Sequence, residues 1–235
     1  MNAGEKLLKG LELLNISNTD SSKIEEWADK LDKYIKEIIL FNSAYNLTNT
    51  SDYDEITINH ILDSLSAANT IKSFSETLAK ENQQSSGEIK IADIGSGGGL
   101  PGIPLATCLS EQNFTLVERM DKRCAFLENE KAILGLQNVS VMQSEAEKVP
   151  EESFDIVTFR AFRPLDKKMI KTLLNLTKTG GIIAAYKAKT ESITEEMNGI
   201  KNIVADYEII PLEVPFLTGT NKKDSRERNL VIIRK

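Results

Sequence analysis

The sequence has few of the residues from which metal centres and disulfide frameworks are built. Its 235 residues include one histidine, His60, and two cysteines, Cys108 and Cys124. Both cysteines lie in segments with helical patterns, and this set is too small for a disulfide framework or a zinc site. We therefore expect no metal, and reduced thiols of the kind found in cytoplasmic proteins.

Long apolar runs are also absent. Residues 1–20 mix charged residues into a leucine pattern, and no segment has the character of a membrane span or a secretory signal. Hydrophobic residues make up 40% and charged residues 27% of the chain, as in soluble globular proteins. The length is sufficient for one sizeable core with a small accessory part.

The chain also lacks an excess of basic residues, since its formal net charge is −6. That value argues against a nucleic-acid partner, but net charge hides how the charges are distributed. Residues 221–235 contain two acidic residues and six basic ones, Lys222, Lys223, Arg226, Arg228, Arg234 and Lys235. Charge alone does not decide between a solvated tail and a phosphate-binding surface.

The first part of the chain has helical patterns. Residues 22–40 place apolar side chains three and four positions apart, which predicts an amphipathic helix with Ser21 or Ser22 as its N-cap. The same pattern predicts helices at 3–14 and 55–71. We expect residues 1–72 to form an N-terminal helical extension.

Residues 73–88 are polar and rich in serine and glutamine, which predicts a linker to a domain at 89–235. In that domain strands and helices alternate, which indicates βαβ units and a mostly parallel sheet. Strands are predicted at 89–94, 113–118, 138–143, 154–161, 180–188, 207–214 and 228–235, and helices at 101–110, 121–135, 164–178 and 191–204. No helix separates the last two strands, so we expect an antiparallel pair at the edge of the sheet.

The stretch "IADIGSGGGLPGIP", residues 91–104, joins the first of these strands to a helix. Ligands of open α/β sheets bind at this carboxyl end, and glycine lets a ligand approach the backbone closely. The glycines fit both GxGxxG (Gly97, Gly99, Gly102) and GxGxG (Gly95, Gly97, Gly99). Glu118 ends the next strand, where a carboxylate can accept both hydroxyls of a ribose. The glycine loop and Glu118 together predict an adenosine-type cofactor. They do not distinguish NAD from S-adenosylmethionine.

The predicted topology favours one of these cofactors. Seven strands that end in an antiparallel hairpin resemble the α/β, Rossmann-like fold of class I S-adenosylmethionine-dependent methyltransferases. A second βαβ half with its own acidic residue, which a dinucleotide enzyme normally needs, is not apparent. We therefore expect a methyltransferase, with an NAD-dependent oxidoreductase as the alternative.

The residues after the fourth strand bear on the methylated atom. They read "FRAFRPL", not the Asn/Asp-Pro-Pro-aromatic pattern that accompanies methylation of exocyclic amines, and they contain no cysteine for attack on a pyrimidine. A target that needs neither deprotonation nor covalent attack fits best. Guanine N7 is such a target, because its lone pair is already available and positioning alone can supply the rate.

Five motifs carry a more specific resemblance. "FNSAYNLTNTSDYDEITINHILDSL", "IGSGGGLPGIP", "FTLVERMDKRCAFL", "FDIVTFRAF" and "RNLVIIRK" resemble the bacterial small-subunit rRNA methyltransferase G family, also called glucose-inhibited division protein B. The resemblance implies methylation of guanine N7 in the 530 loop of 16S rRNA (guanine 527), in the small ribosomal subunit. A protein that binds the cofactor and assists ribosome assembly without catalysis is a further alternative.

The resemblance also implies roles for individual residues. The expected cofactor-binding residues are Gly95, Gly97, Leu100, Glu118, Ala146, Glu147 and Arg160, with Glu118 on the ribose. Asn46, His60 and Arg228 are expected near the mouth of the active site. Three of these residues have a structural alternative: a turn for Asn46, a hydrogen-bonded helix position for His60, and an ion pair with Glu147 or Asp155 for Arg160.

Basic residues at strand ends and helix starts complete the expectation. If these residues share one face, they form a phosphate-binding rim. They are Arg119, Lys122, Arg123, Arg163, Lys167, Lys168, Lys187, Lys189 and the C-terminal set. We expect the protein to be a monomer. The chain departs from the usual family pattern at Glu145, Phe159 and Ala188, and residues 73–88 look like an insertion. These departures bear on the adenine pocket more than on the reaction.

Overall fold

The computed structural model describes residues 3–160, 165–217 and 226–235. Its centre is a seven-stranded sheet with strand order β3-β2-β1-β4-β5-β7-β6. The strands are β1 (Lys90–Ile94), β2 (Asn113–Glu118), β3 (Val139–Gln143), β4 (Phe154–Arg160), β5 (Thr177–Lys187), β6 (Glu208–Pro211) and β7 (Asn229–Arg234). The first five pair in parallel, whereas β7 is antiparallel to both β5 and β6. The predicted class of sheet, with its antiparallel C-terminal hairpin, is confirmed.

Nine α-helices lie within the described residues. They are α1 (Ala3–Leu14), α2 (Ser21–Tyr45), α3 (Tyr53–Ile56), α4 (Asp63–Leu65), α5 (Ala68–Glu81), α6 (Gly102–Cys108), α7 (Asp121–Leu134), α8 (Lys167–Leu176) and α9 (Thr190–Ile200). A π-helical stretch, Thr57–Leu62, connects α3 to α4. None of these described helices has the length and hydropathy needed to cross a membrane.

Each face of the sheet is covered by its own hydrophobic core. On one face, Leu31 and Ile35 of α2 belong to the same buried cluster as Ile91 and Leu116 of the sheet. On the other face, residues of α8 and α9 pack against β4, β5 and β7. The N-terminal helices are therefore part of the packing that supports the sheet.

The prediction of a linker at 73–88 is wrong over its first half. Helix α5 continues to Glu81, and a short 3-10 helix follows at Ser86–Glu88. Ile71, Ser75 and Leu78 recur at helical spacing and are buried against the first core, so packing overrides the polar composition. Several boundaries also differ: for example, Asp20 caps α2 through the amide of Lys23, β5 begins at Thr177, and β6 ends at Pro211.

The close contact between β1 and α6 requires glycine at position 102. Its amide donates a hydrogen bond to Asp93 Oδ2 at 2.9 Å. A Cβ there would lie 2.7 Å from that oxygen and would overlap the side chain of Leu116. Both neighbours are fully buried, so neither has room to move.

We expect Gly102→Ala to lower the free energy of unfolding by roughly 1–3 kcal/mol, the usual cost of overpacking. Gly199→Ala is the matched control, because nothing lies within 4 Å of its Cβ position in α9, and it should be neutral or slightly stabilising. Urea denaturation of both variants measures the difference. Equal stabilities would show that α6 can shift away from β1 without cost.

A buried carboxyl group lies between α7 and α2. Glu130 has no exposed surface, and neither of its carboxyl oxygens has a hydrogen-bond partner among the described residues. Burial, together with the nearby charge of Glu37, raises the pKa of Glu130 to about 8. The folded state therefore holds this proton over a pH range in which the unfolded chain has released it.

We expect this group to lower stability as pH rises from about 4.5 towards 8, because the folded state binds more protons than the unfolded state there. Glu130→Gln removes the titration, so the variant should be more stable than wild type at pH 8 and similar to it near pH 4.5. Urea unfolding at several pH values measures this. A constant difference between the two proteins would contradict the assignment.

Candidate functional site

A cavity of about 1030 Å³ opens at the carboxyl ends of the parallel strands. Most of its lining comes from three parts of the chain: residues 47–63 of the N-terminal region, the loop after β1, and the ends of β4 and β5 with the residues just before β7. Arg123, Glu196 and Leu212 complete it. The volume is that of a site for a sizeable small molecule. The N-terminal helices thus form one wall of a site whose other walls belong to the sheet.

The loop after β1 has the backbone that its glycines allow. Gly95, Gly97 and Gly99 have φ values of 69°, 57° and 91°, a region in which side chains are strained. The hydroxyl of Tyr34, buried in α2, donates a hydrogen bond to the carbonyl oxygen of Gly98. A helix of the N-terminal region therefore holds the glycine loop directly.

Glu118 also holds this loop, from the end of β2. Its Oε2 accepts the amide hydrogen of Gly97 at 3.0 Å, and its Oε1 accepts those of Arg119 and Met120 at 2.8 and 2.9 Å. The residue is 4% exposed and does not line the cavity. In this structure the carboxylate orders the backbone on which a cofactor would rest.

A shared carboxylate lies on the opposite wall. Asp63, at the start of α4, accepts a hydrogen bond from Arg160 Nη1 at 2.9 Å and another from Arg228 Nε at 3.0 Å. Its side chain is 6% exposed. One buried charge therefore positions two guanidinium groups, one at the end of β4 and one just before β7.

His60 belongs to the same network. Its Nδ1 lies 3.1 Å from Arg160 Nη2, and Arg160 also donates to the carbonyl oxygen of Asn59 at 3.0 Å. Both His60 and Asn59 lie in the π-helical stretch, a conformation found often at functional sites. Burial, and then the charges of Arg160 and Arg228, lower the pKa of His60 to about 4, so the ring is neutral at physiological pH.

The structure brings together only part of the expected set. The cavity is lined by Gly95, Gly97, Leu100, His60, Arg160 and Arg228. The other expected residues, Asn46, Glu118, Ala146 and Glu147, are not among its lining residues. The roles of all ten residues towards a cofactor or substrate stay predictions.

The contacts of Asn46 and Arg160 bear on the structural alternatives for these residues, a turn and an ion pair. Asn46 is the left-handed C-cap of α2, with φ 51°, and its carbonyl oxygen accepts from Arg123 at 2.7 Å. Arg160 does form an ion pair, but with Asp63. The carboxylates considered from the sequence pair with lysines, Glu147 with Lys168 and Asp155 with Lys178.

Three important side chains were not anticipated from the sequence: Asp63, Tyr34 and Tyr186. Tyr186, at the end of β5, donates to the carbonyl oxygen of Ser64 at 2.7 Å. Asp63 lies inside the quoted motif "HILDSL", directly after two apolar residues and two positions before a third, Leu65. An acidic residue in such a position is the signal that could have identified it, since an unpaired charge is not buried there.

The basic residues near the cavity form a smaller set than expected. Of the basic residues expected in the rim, Arg123, Lys187, Arg226 and Arg228 line the cavity, and we call this set the basic rim. Lys187 is paired with Glu196 at 2.6 Å. Arg163, Lys222 and Lys223 lie outside the described residues, as do Ala161 and Phe162 of the "FRAF" motif.

The positions that depart from the family pattern are placed differently from one another. Ala188 lines the cavity. Phe159 is 1% exposed and packs in the second core, and Glu145 is exposed and pairs with Lys148. Only Ala188 therefore adds bulk to the cavity itself.

The cavity fits an adenosine-type cofactor better than a metal. Within the described part of the chain, no group of three or more histidine, cysteine, aspartate or glutamate side chains is arranged to hold a metal ion. By contrast, the backbone of Gly95, Ser96 and Gly97 borders open space in the cavity, and the nearest atoms to a Cβ at Gly97 would be 3.9 Å away. Such a bare surface suits a ligand that lies against the main chain.

Comparison with known proteins identifies the family. The sequence model of rRNA small subunit methyltransferase G matches residues 28–230. The chain belongs to this family. A ribosomal RNA small subunit methyltransferase G of Treponema denticola is 40% identical over 247 residues, which cover 97% of this chain and 93% of that one.

More distant members of the methyltransferase G family give the same result. The proteins of that name from Treponema pallidum and Actinobacillus pleuropneumoniae are 38% and 34% identical. The first alignment covers 85% of this chain and 84% of the relative, and the second covers 98% of each. The match therefore extends through the N-terminal helices as well as the sheet.

We expect Asp63→Asn to reduce stability by about 1–3 kcal/mol, because two guanidinium groups lose a shared, buried charge. Glu12→Gln is the control: its pair with Lys9 is on the surface, so the change should be within about 0.5 kcal/mol. Urea unfolding at neutral pH measures both. An Asp63→Asn variant as stable as the control would contradict the anchoring role.

Proposed function

We propose that this chain transfers a methyl group from S-adenosylmethionine to N7 of guanine 527, in the 530 loop of 16S rRNA, within the small ribosomal subunit. The observation that carries the proposal is one cavity in which the bare glycine loop, His60, Arg160 and Arg228 all meet. Membership of the methyltransferase G family supports the substrate class. Reaction with N7 is supported by the residues after β4, which have neither the pattern that accompanies methylation of exocyclic amines nor a cysteine.

The site has the parts that a direct displacement requires. S-adenosylmethionine, when bound, supplies a methyl group on a positively charged sulfur. Guanine N7 offers an unprotonated lone pair, so no base has to remove a proton first. The chain's contribution is to bind and orient: the glycine loop leaves space along its backbone, and Asp63 fixes Arg160 and Arg228.

Charge in the cavity is also suited to this reaction, which moves positive charge from sulfur to the guanine ring. Asp63 offsets one of the two guanidinium charges of Arg160 and Arg228. The low pKa of His60, about 4, keeps a further positive charge out of the site. Repulsion of a cationic cofactor and a cationic product is thereby limited.

The basic rim supports an RNA partner in spite of the acidic overall charge. Arg123, Lys187, Arg226 and Arg228 surround the cavity, where phosphate groups next to a target base would lie. Four basic residues are a modest electrostatic surface, which favours a folded ribosomal particle over naked RNA as substrate. We further propose that the protein acts as a monomer in the cytoplasm.

Two alternatives make different predictions. An NAD-dependent oxidoreductase would bind NAD, and a non-catalytic assembly factor would bind S-adenosylmethionine without turnover. The structure favours neither, because the described helices and strands contain no second nucleotide-binding half and the site contains residues beyond those that a cofactor needs.

Labelled methyl transfer to small subunits from a strain that lacks the enzyme tests the proposal. We expect label in 16S rRNA, and calorimetry should detect binding of S-adenosylhomocysteine but not of NAD. Binding without transfer would support the assembly factor, and binding of NAD alone would support the oxidoreductase. Either result would overturn the proposal.

Two variants should separate cofactor binding from RNA methylation. Glu118→Ala leaves the amides of Gly97, Arg119 and Met120 without their acceptor, so S-adenosylhomocysteine should bind at least about tenfold more weakly. Arg228→Ala should leave that affinity unchanged and lower kcat/KM for small subunits by about tenfold or more. Glu151→Ala, on the exposed turn before β4, is the control. Equal cofactor affinity in wild type and Glu118→Ala would refute the role of Glu118.

A further inference from the structure

Three buried polar atoms of residues that line the cavity have no hydrogen-bond partner among the described residues: Asn59 Oδ1, Arg123 Nε and His60 Nε2. Nε2 of His60 is buried and makes no hydrogen bond to any described residue, although the residue lines the cavity beside Arg160 and Asp63. Buried polar atoms normally have a partner, and an exception at a site calls for an explanation. A substrate atom can supply the partner once the side chains that cover Nε2 move aside.

The contact on the other ring nitrogen determines what Nε2 can offer. A guanidinium group has only donors, so at 3.1 Å from Arg160 Nη2 the Nδ1 atom of His60 must be the acceptor. A neutral imidazole with a lone pair on Nδ1 carries its proton on Nε2. The tautomer is therefore set by Arg160, and Nε2–H is a donor.

This arrangement is held firmly. Arg160 is fixed by two further hydrogen bonds, to Asp63 Oδ2 at 2.9 Å and to the Asn59 carbonyl at 3.0 Å. Burial and the guanidinium groups of Arg160 and Arg228 hold the pKa of His60 near 4, so the ring does not gain a second proton at neutral pH. His60 thus presents one neutral donor, at Nε2.

The edge of guanine that carries N7 also carries O6, which is an acceptor. Adenine has N7 in the same place but has an amino group, a donor, where guanine has O6. A donor on the protein therefore pairs with guanine and opposes adenine, while N7 stays free to receive the methyl group. Since the ring becomes positively charged in the reaction, a neutral donor is better suited to this position than an imidazolium.

We infer that His60 is a specificity-determining residue whose Nε2–H donates a hydrogen bond to O6 of the target guanine. The inference rests on the proposed function, because it needs a guanine that is methylated at N7. It assigns to Arg160 a positioning role, which is to set the tautomer of His60. It also gives a reason for the buried Asp63, which holds Arg160 in place for that purpose.

The tautomer can be measured directly, since the chain has a single histidine. In the full-length ¹⁵N-labelled protein at pH 7, long-range ¹H–¹⁵N spectra should show a protonated Nε2 and an unprotonated Nδ1. A proton on Nδ1, or on both nitrogens, would overturn the inference. The spectrum does not depend on cofactor or on activity.

Substitutions test the donor. His60→Phe should lower kcat/KM for small subunits by about 10- to 100-fold, the effect of losing a hydrogen bond in a buried site. His60→Gln should recover most of this loss, because its amide can donate. Binding of S-adenosylhomocysteine should change by less than about twofold in both. Full activity of His60→Phe, or no recovery in His60→Gln, would contradict the inference.

Small subunits reconstituted with 2-aminopurine at the target position identify the acceptor, because this base keeps N7 and lacks O6. If His60 reads O6, wild type and His60→Phe should methylate such subunits at similar, low rates. A full His60→Phe penalty on 2-aminopurine would overturn the inference. If wild type transfers no methyl to guanine-containing subunits, the proposed function fails and the inference fails with it; if it does and His60→Phe is equally active, only the inference fails.

Discussion

The carboxylate of Asp63 joins the two halves of this molecule. It lies at the start of a helix in the N-terminal region, and it accepts hydrogen bonds from Arg160 at the end of β4 and from Arg228 just before β7. Burying one carboxylate between two guanidinium groups is favourable only if all three groups stay paired. The relative position of the N-terminal helices and the sheet therefore determines where both arginines point, and through Arg160 it determines the state of His60.

Two tyrosines secure the same junction from either side. Tyr34 of α2 reaches the glycine loop, and Tyr186 of β5 reaches the carbonyl oxygen of Ser64. Both rings are buried, so each hydroxyl finds a backbone acceptor where water is excluded. A methyltransferase sheet alone would have the glycine loop, but not the wall with His60 and Asp63 that completes the cavity. The N-terminal region is in this sense part of the site.

The sheet and the glycine loop could be predicted from the sequence because both depend on local patterns. Alternating strands and helices indicate a parallel sheet, and "GSGGGLPG" at a strand end indicates a loop without side chains. The network around Asp63 could not be predicted in this way, because its members are separated by about a hundred residues or more along the chain. The π-helical stretch was missed for a related reason: its residues have ordinary helical spacing, and tertiary contacts select the wider turn. The composition of residues 73–88 predicts a linker because it conceals the few apolar side chains that pack.

Arg160 illustrates how far residue-level reasoning reaches. The end of a β-strand at the cofactor edge was a good reason to expect a site role, and the residue does line the cavity. Its partner was misjudged, since carboxylates close in sequence or on neighbouring loops were considered and the one on the N-terminal helix was not. The consequence is a change of role: Arg160 supports a neighbouring imidazole as well as lining the site.

The central claim, that this site methylates N7 of one guanine in 16S rRNA, is tested most directly by mapping the modification in the organism's own ribosomes. N7-methylguanine makes RNA sensitive to borohydride and aniline cleavage, which primer extension locates. The account predicts a stop in the 530 loop with rRNA from the parent strain, no stop after deletion of the gene, and its return with the wild-type gene. A stop that persists in the deletion strain would contradict the account.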